Sequence, residues 1–275
     1  MKSVSTALAA LLTLVVVSAC DNEPTAPAKP PAIVSAQAAP TRHPLVEAVT
    51  VSLASAGRVE VTYRTGAETA LRVTADSASP SHNLLLTRLR AATTYTYEVR
   101  SRSSSGQLGT PVTGTFTTGE LPAEFADFEF ETTGSPTSPI TVVQISTSTN
   151  GWQGIVAVDR QGRPVWFHEA TTGAMGGWFR ANGDAVVIDQ GVQVIDALGD
   201  TVYSLPQSAG APYGNIHHGV TNSPGGGLLF VATDPRVVND TTVVADAIWE
   251  WTPETGALVK RWSAHDFLDW TTERG

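Results

Sequence analysis

A repeated β-hairpin with a glycine near the end of its turn constrains the fold of this chain more than any other feature. The three copies close on Gly162, Gly199 and Gly256, and each joins two stretches rich in β-branched or aromatic residues. Such a turn needs a residue with positive φ, which glycine adopts without steric strain. The repeat therefore predicts an all-β protein built from consecutive antiparallel strands.

A further hairpin precedes each of the two later copies. Residues 175–188 and 216–231 each contain two apolar stretches separated by a polar turn with glycine. Two hairpins make four strands, and a four-stranded unit of about forty residues is typical of a β-propeller blade. Residues 120–275 are therefore predicted to form an incomplete β-propeller of about three blades, with an insertion near residues 234–246. The alternative is a plain β-sandwich whose hairpins resemble one another by chance.

An N-terminal domain is predicted over residues 43–119, which alternate apolar and polar positions as half-buried strands do. The leucine, threonine and tyrosine within residues 89–95 resemble the signature that introduces the penultimate strand of fibronectin type III domains. The resemblance implies a β-sandwich in which the Tyr95 hydroxyl ties down the preceding connection. We expect no functional site in this domain, and we interpret His43 and His82 as surface residues.

The N-terminus is interpreted as an export signal followed by a tether. Residues 1–19 contain a short apolar stretch and end in small residues before Cys20, which resembles a bacterial lipobox. We therefore predict a signal peptide over residues 1–19 and a lipid on Cys20 that attaches the protein to a membrane. Residues 20–42, rich in proline and alanine, are interpreted as the lipid-anchored linker. The alternative is an ordinary signal peptide with an incidental cysteine.

These features predict an exported bacterial lipoprotein of the cell envelope, either periplasmic or anchored in the outer membrane. The net charge of −9 disfavours nucleic acid as a partner. Cys20 is the only cysteine, so no disulfide is expected within the chain. No third ligand with suitable spacing accompanies the neighbouring His217 and His218, so we expect no metal site and no cofactor.

His217 and His218 are the chemically distinctive residues of the repeat. Aligning the inner strands of the last two units places them opposite Gly176 and Gly177. The innermost strand of a propeller blade lines the central channel, which makes this pair a candidate for a ligand site. Because neighbouring strand residues point to opposite faces, we expect only one of the two to reach that site. The alternative is that both are structural or simply exposed to solvent.

Roughly residues 125–270 resemble the bacterial arylsulfotransferase family, and the specific motifs are confined to residues 215–269. The matching elements are the histidine pair, the glycine-rich turn at residues 225–227, and the tryptophan-rich segment 249–262; Gly219 after the pair departs from the family pattern. The resemblance implies a six-bladed β-propeller that transfers a sulfuryl group from a phenolic sulfate donor to a phenol acceptor. The transfer would proceed through a sulfated histidine and without a nucleotide sulfate.

The resemblance also implies roles for individual residues. One of His217 and His218 would bind the sulfate or transfer a proton, whereas the nucleophilic histidine of the family lies in a later blade. We therefore expect the nucleophile beyond residue 275 and interpret the chain as an N-terminal fragment that is inactive on its own. The alternative function is a non-catalytic, lipid-anchored propeller that binds glycans or proteins at the cell surface. His168 and His265 are interpreted as peripheral and structural, respectively.

Overall fold

A computed structural model describes residues 28–145, 151–171, 175–208 and 210–268. The predicted signal peptide, the lipidation site at Cys20 and the first part of the predicted linker lie outside these residues. The described residues form β-strands joined by turns, with two short 3₁₀ helices, Ala123–Asp127 and Ala264–Asp266, and no α-helix. The predicted all-β class is therefore confirmed. None of the helices in the described part of the chain is long and apolar enough to cross a membrane.

The N-terminal unit is organised around one long strand that pairs on both halves. The strands are β1 (Ile33–Pro40), β2 (Glu47–Arg64), β3 (Leu71–Thr74), β4 (Ser79–Leu86), β5 (Thr94–Arg102) and β6 (Val112–Thr117). The first half of β2 pairs with β1 and β4, and the second half pairs with β3 and β5, which in turn pairs with β6. Side chains from both halves, such as Val49 and Val61, meet in one buried core.

The prediction of an extended linker as far as residue 42 is wrong for residues 33–40. These residues form β1, which pairs antiparallel with β2 over the whole stretch from Ile33 to Pro40. Pro40 is the last residue of β1, and Ala36 and Ala38 pack against the core of the unit. The strand tolerates its composition because small side chains still cover a core and a proline at a strand end removes no needed hydrogen bond.

The tyrosine of the sequence signature makes the contact that was predicted for it. Tyr95 is buried, and its hydroxyl accepts a hydrogen bond of 3.0 Å from the backbone amide of Arg90. Its ring also stacks on Phe116, with the ring centres 5.4 Å apart. The hydroxyl therefore ties the connection before β5 to the core.

The interpretation of His43 and His82 as surface residues is wrong, because both are buried. His82 Nε2 donates to the carbonyl of Gly57 at 2.8 Å. His43 Nε2 donates to the carbonyl of Phe167 at 3.1 Å, and its ring is parallel to that of Trp166. His43 thus belongs to the junction between the N-terminal unit and the rest of the chain, a long-range contact that local polarity could not reveal.

This junction is expected to weaken as the pH falls below about 6.5. Burial lowers the pKa of His43 from 6.5, although the hydrogen bond to Phe167 opposes the shift. The folded protein then binds a proton less readily than the unfolded chain. Stability is therefore complete above the unfolded pKa and is lost below it, by at most about 1.4 kcal/mol per pH unit, until the folded pKa is reached. Urea unfolding of the wild type and of His43→Gln between about pH 7.5 and pH 5 measures this loss; equal pH slopes for the two proteins would contradict it.

The remaining strands form three antiparallel sheets of consecutive strands. The strands are β7 (Ile140–Ile145), β8 (Gly154–Asp159), β9 (Pro164–Glu169), β10 (Met175–Phe179), β11 (Ala185–Ile188), β12 (Gly191–Ile195), β13 (Thr201–Pro206), β14 (Ile216–Asn222), β15 (Leu228–Val238), β16 (Thr241–Thr252) and β17 (Ala257–Ser263). Among the described residues, the first sheet has three strands and the other two have four each, in the orders β7-β8-β9, β10-β11-β12-β13 and β14-β15-β16-β17.

The hairpin turns are formed as their sequences predict. Gly162, Gly199 and Gly256 have φ values of +78°, +86° and +72°. Asp159 and Asp196 accept hydrogen bonds from backbone amides within their own turns, for example 2.9 Å to the amide of Leu198. Both aspartates therefore stabilise turns rather than form a site.

The predicted insertion near residues 234–246 is a two-stranded extension of the last sheet. β15 and β16 stay paired from Leu228 with Trp251 to Val238 with Thr241. Asn239 and Asp240 form the connecting turn with φ values of +49° and +56°, as expected for a tight two-residue hairpin. The insertion thus lengthens two existing strands.

Candidate functional site

The histidine pair lies at a β-bulge in β14. His217 pairs with Val231 of β15, and the next regular pair joins Val220 to Phe230, so His218 and Gly219 have no direct partner. His218 has a φ of +64°, in the left-handed region. The bulge breaks the alternation of side chains that a regular strand imposes.

The two imidazole rings meet each other, which corrects the expectation that they point to opposite faces. The ring centres of His217 and His218 are 4.7 Å apart, and the planes are nearly perpendicular at 87°. The expectation assumed a regular strand, and the left-handed backbone at His218 rotates its side chain away from that geometry. The pair is therefore a single two-ring cluster.

The neighbouring sheet contains a bulge at the same place. Met175 pairs with Ile188, and Gly176 follows it with a φ of +65°. In the sheet that carries the histidine pair, His217 corresponds to Met175 and His218 corresponds to Gly176. The structural equivalent of His218 is therefore Gly176, one residue earlier than the sequence alignment placed it. A histidine therefore occupies a left-handed position that is glycine in the neighbouring sheet. Its side chain strains the backbone there, as glycine would not.

The two rings differ in exposure. The side chain of His217 is 20% exposed, and its Nε2 lies 3.2 Å from Oδ1 of Asp246 on β16. The other ring nitrogen of His217, Nδ1, is buried and has no hydrogen-bond partner among the described residues. His218 is exposed to solvent. His217 is thus the inner ring, held between a carboxylate and its neighbour, and His218 is the outer ring that a ligand can reach.

Asp246 is the residue of this cluster that sequence reasoning missed. It lies within the segment 234–246, which the sequence marked only as an insertion. In the structure β16 pairs with β15 so that Asp246 lies opposite Thr233, and this register brings Asp246 beside His217. Only the register between β15 and β16 reveals that Asp246 belongs to the site. That register cannot be derived from the sequence until the position of the turn at Asn239 is known.

An apolar row continues from His217 across the sheet. The cross-strand partners in order are His217, Val231, Ile248 and Trp262, which share one face of the sheet. The opposite face, with Phe230 and its neighbours, packs in the core against the preceding sheet. Trp262 is 39% exposed. The histidine pair therefore borders a partly open, apolar surface.

A charged cluster supports the long hairpin next to this site. The buried Asp234 carboxylate accepts hydrogen bonds from Ser263 at 2.6 Å, from Lys260 at 3.0 Å and from Arg236 at 3.0 Å. Burial raises the pKa of Asp234, but these three donors outweigh burial and lower it from 3.8 to about 2. The carboxylate is therefore ionised at neutral pH and fixes the strands that carry Asp246.

Two further histidines, His168 and His265, make contacts of their own. His168 is half-buried on β9, and burial lowers its pKa although Asp189 opposes the shift. His265 Nε2 donates to the backbone carbonyl of Asp234 at 2.7 Å, which fits the structural role expected for it. Within the part of the chain that the structure describes, no three His, Cys, Asp or Glu side chains are grouped so as to hold a metal ion.

Comparison with known proteins places this chain in a family. No curated protein matches the chain. Residues 130–274 match the family model of arylsulfotransferase (ASST), and this range includes all three later sheets and the histidine pair. The family acts on aryl sulfates and phenols. Because the match covers more than half of the 275 residues, the chain belongs to the arylsulfotransferase (ASST) family.

Proposed function

We propose that His217 and His218 form the sulfate-contacting part of an arylsulfotransferase-like site, at which a sulfuryl group moves from a phenolic sulfate ester to a phenol. The observation that carries this proposal is the two-ring cluster on a bulge of β14, inside the region that matches the family. His218 presents its ring to solvent in a left-handed conformation that strains the backbone. Strain of this kind is concentrated at functional sites.

We assign different tasks to the two rings. His218 donates to the sulfuryl oxygens, and His217 positions it through the edge-to-face contact of their rings. Asp246, 3.2 Å from His217 Nε2, fixes the orientation of the inner ring. Val231 and Ile248, beyond His217 on the same face, supply an apolar surface for the aryl group. Donors that face the sulfuryl oxygens stabilise the charge that develops in the transition state.

The chemistry we propose has two displacements at sulfur. A histidine nitrogen attacks sulfur, the N–S bond forms as the S–O bond to the aryl group breaks, and a phenol leaves after taking up a proton. The acceptor phenol then attacks the same sulfur, its proton passes to a base, and the N–S bond breaks. The pair assists this sequence, and the nucleophile is a further histidine that we place outside these 275 residues. We propose that the chain alone binds the donor without turnover.

The proposed architecture is a fibronectin type III-like sandwich followed by an incomplete β-propeller. The support for the propeller is that two four-stranded sheets of consecutive strands pack face to face and carry a bulge at the same place. The support for the sandwich is the pairing of the two halves of β2 with different strands and the hydrogen bond of the Tyr95 hydroxyl.

We also propose that the protein is exported and carries a lipid on Cys20. The test is labelling with a radioactive fatty acid, and we expect the label to be lost in Cys20→Ser.

The direct test is calorimetric binding of 4-nitrophenyl sulfate to the wild type and to His218→Gly. Glycine is the sharpest replacement because it keeps the left-handed backbone, as Gly176 does in the neighbouring sheet. We expect binding to weaken about tenfold or more, because the substitution removes one hydrogen bond to a charged group. Gln190→Gly is the matched control, since Gln190 is exposed and has a φ of +56° outside the site. Its affinity should equal that of the wild type.

Four outcomes would overturn the assignment. Absence of binding, or equal binding by His218→Gly and the wild type, would remove the pair from the sulfate site. Release of 4-nitrophenol by the chain, with the sulfuryl group mapped to either ring, would make the pair the nucleophile. Binding of a glycan in place of the aryl sulfate would favour the non-catalytic alternative.

A further inference from the structure

A cavity region to which neither histidine of the pair contributes lies at the junction of the N-terminal unit with the sheet β7-β8-β9. One cavity of about 640 Å³ is bordered by Arg64 and Arg88 on one side and by Arg160 on the other. A neighbouring cavity of about 460 Å³ shares Arg88, Ile140 and Val165 with it. Both volumes are within the usual range of small-molecule sites.

The larger cavity is strongly cationic although the chain carries a net charge of −9. Five arginines line it, against the two acids Glu68 and Asp159. Those acids are already occupied: Arg90 contacts Glu68, and Arg163 lies 2.7 Å from Asp159 and 3.7 Å from Glu68. This network also connects the two units, because Glu68 follows β2 and Arg163 precedes β9.

Three arginines of the cavity remain without an acidic partner in the described part of the chain. They are Arg64 at the end of β2, Arg88 in the connection before β5, and Arg160 in the turn before β9. Arg160 donates only to backbone carbonyls, those of Thr137 at 2.9 Å and of Ser138 at 3.3 Å. Three uncompensated guanidinium groups around one concave surface attract an oxyanion, which arginine binds with paired donors.

The backbone at Arg88 adds a separate observation. Its φ is +60°, which a non-glycine residue adopts only at a cost of about 1 kcal/mol or more. Beside it, the Tyr63 hydroxyl donates to the carbonyl of Thr87 at 2.9 Å and holds the preceding residue in place. The strained residue is also the arginine that borders both cavities.

Apolar and aromatic groups form most of the lining of the smaller cavity. Its two carboxylates already accept hydrogen bonds, Asp184 from Asn182 and Asp196 from amides of its own turn. Leu85, Ile140 and Val165 contribute aliphatic surface, and Trp166 and Phe179 form an edge-to-face pair with ring centres 5.4 Å apart. The Trp166 ring nitrogen is satisfied by the carbonyl of Ala197 at 3.0 Å, so the ring offers a ligand an apolar surface. A cationic and an apolar cavity that share a wall match a ligand with an anionic head and an aromatic body.

We propose that this junction is a binding site for an organic anion, with its oxyanion group held by Arg64, Arg88 and Arg160 and its aromatic part against Trp166 and Phe179. The oxyanion is a phosphate, sulfate or carboxylate attached to a ring. Because residues of both units line the site, the ligand stabilises their junction by mass action. The site is separate from the histidine pair and does not depend on the function proposed for it.

The test is calorimetric titration of the whole chain with 1-naphthyl phosphate. Inorganic phosphate and 1-naphthol, which represent the head and the body alone, are expected to bind at least about tenfold more weakly than the combined probe. Arg88→Gln and Arg160→Gln are each expected to weaken binding about tenfold, the loss of one hydrogen bond to a charged group. Arg58→Gln is the matched control, because Arg58 is an exposed arginine of β2 that lines neither cavity.

Circular dichroism of the exposed arginine variants is the control for folding, and we expect spectra equal to that of the wild type. The proposal is overturned if 1-naphthyl phosphate binds no better than inorganic phosphate, or if Arg88→Gln and Arg160→Gln bind as the wild type does. It is also overturned if binding survives both substitutions and disappears in His217→Ala/His218→Gly, because the probe would then occupy the histidine pair. Retained binding in that histidine variant, with loss in the arginine variants, supports the junction site.

Discussion

Phe230→Ala is expected to lower the free energy of unfolding by about 3–5 kcal/mol. Phe230 is 1% exposed in the core between the last two sheets. It pairs with Val220 on β14 and with Trp249 on β16, and its ring meets Tyr213 edge-on at 5.5 Å. Removing the ring leaves a cavity that rigid neighbouring strands cannot fill. Chemical denaturation followed by circular dichroism measures the loss.

Phe267→Ala is the matched control, because Phe267 is 71% exposed on the segment after β17. Among the residues that the structure describes, its one ring contact is a stack on the half-exposed Trp262. We expect a change of no more than about 0.5 kcal/mol, as for most surface substitutions. Equal losses in the two variants would mean that Phe230 does not anchor the last sheet. Loss of Phe230 should also disturb the imidazole NMR signals of His218, since the bulge ends at Val220.

Asp234→Asn is expected to lower the free energy of unfolding by about 2–3 kcal/mol. Asparagine has one acceptor oxygen in place of two, so it cannot satisfy all the donors of Lys260, Arg236 and Ser263, and its amide group faces two cations. This loss of free energy is small for the breaking of a buried ion pair, because the Lys260 and Arg236 side chains are 30% and 39% exposed. Asp240→Asn at the tip of the same hairpin is the control, since Asp240 is exposed and an asparagine keeps its left-handed turn.

The difference between Asp234→Asn and the wild type should disappear in acid. The folded pKa of Asp234 is about 2, below its ordinary 3.8, so the folded protein binds the proton less readily than the unfolded chain. This contribution to stability is complete above the unfolded pKa and is lost as the pH falls from about 4 to about 2. Unfolding of both proteins across this range tests it. A difference that persists at pH 2 would show that charge on Asp234 is not its source.

Local features of the chain were predictable because short-range chemistry determines them. The turn glycines at Gly162, Gly199 and Gly256 adopt positive φ as expected, and Asp159 and Asp196 bond to their own turns. The alternation of apolar residues and the repeat of hairpins were sufficient to predict consecutive antiparallel strands. Each of these features depends on interactions within about ten residues of sequence.

The features that sequence reasoning missed depend on contacts between distant segments. His43 is buried because Phe167 and Trp166 come to lie against it. β1 is a strand because the exposed edge of β2 accepts it, although its proline and alanine content suggested a tether. Neither partner can be identified from the residues around the segment itself.

At the candidate site, the sequence by itself determined which residues are chemically distinctive and to which family pattern they belong. The tertiary structure decided how they are arranged. A bulge at His218 brings two rings together that a regular strand would separate, and the register of a long hairpin brings Asp246 to His217. Residue types carry chemistry, but a bulge and a strand register arise only when separate strands pair, because backbone hydrogen bonds between strands set which residues face each other.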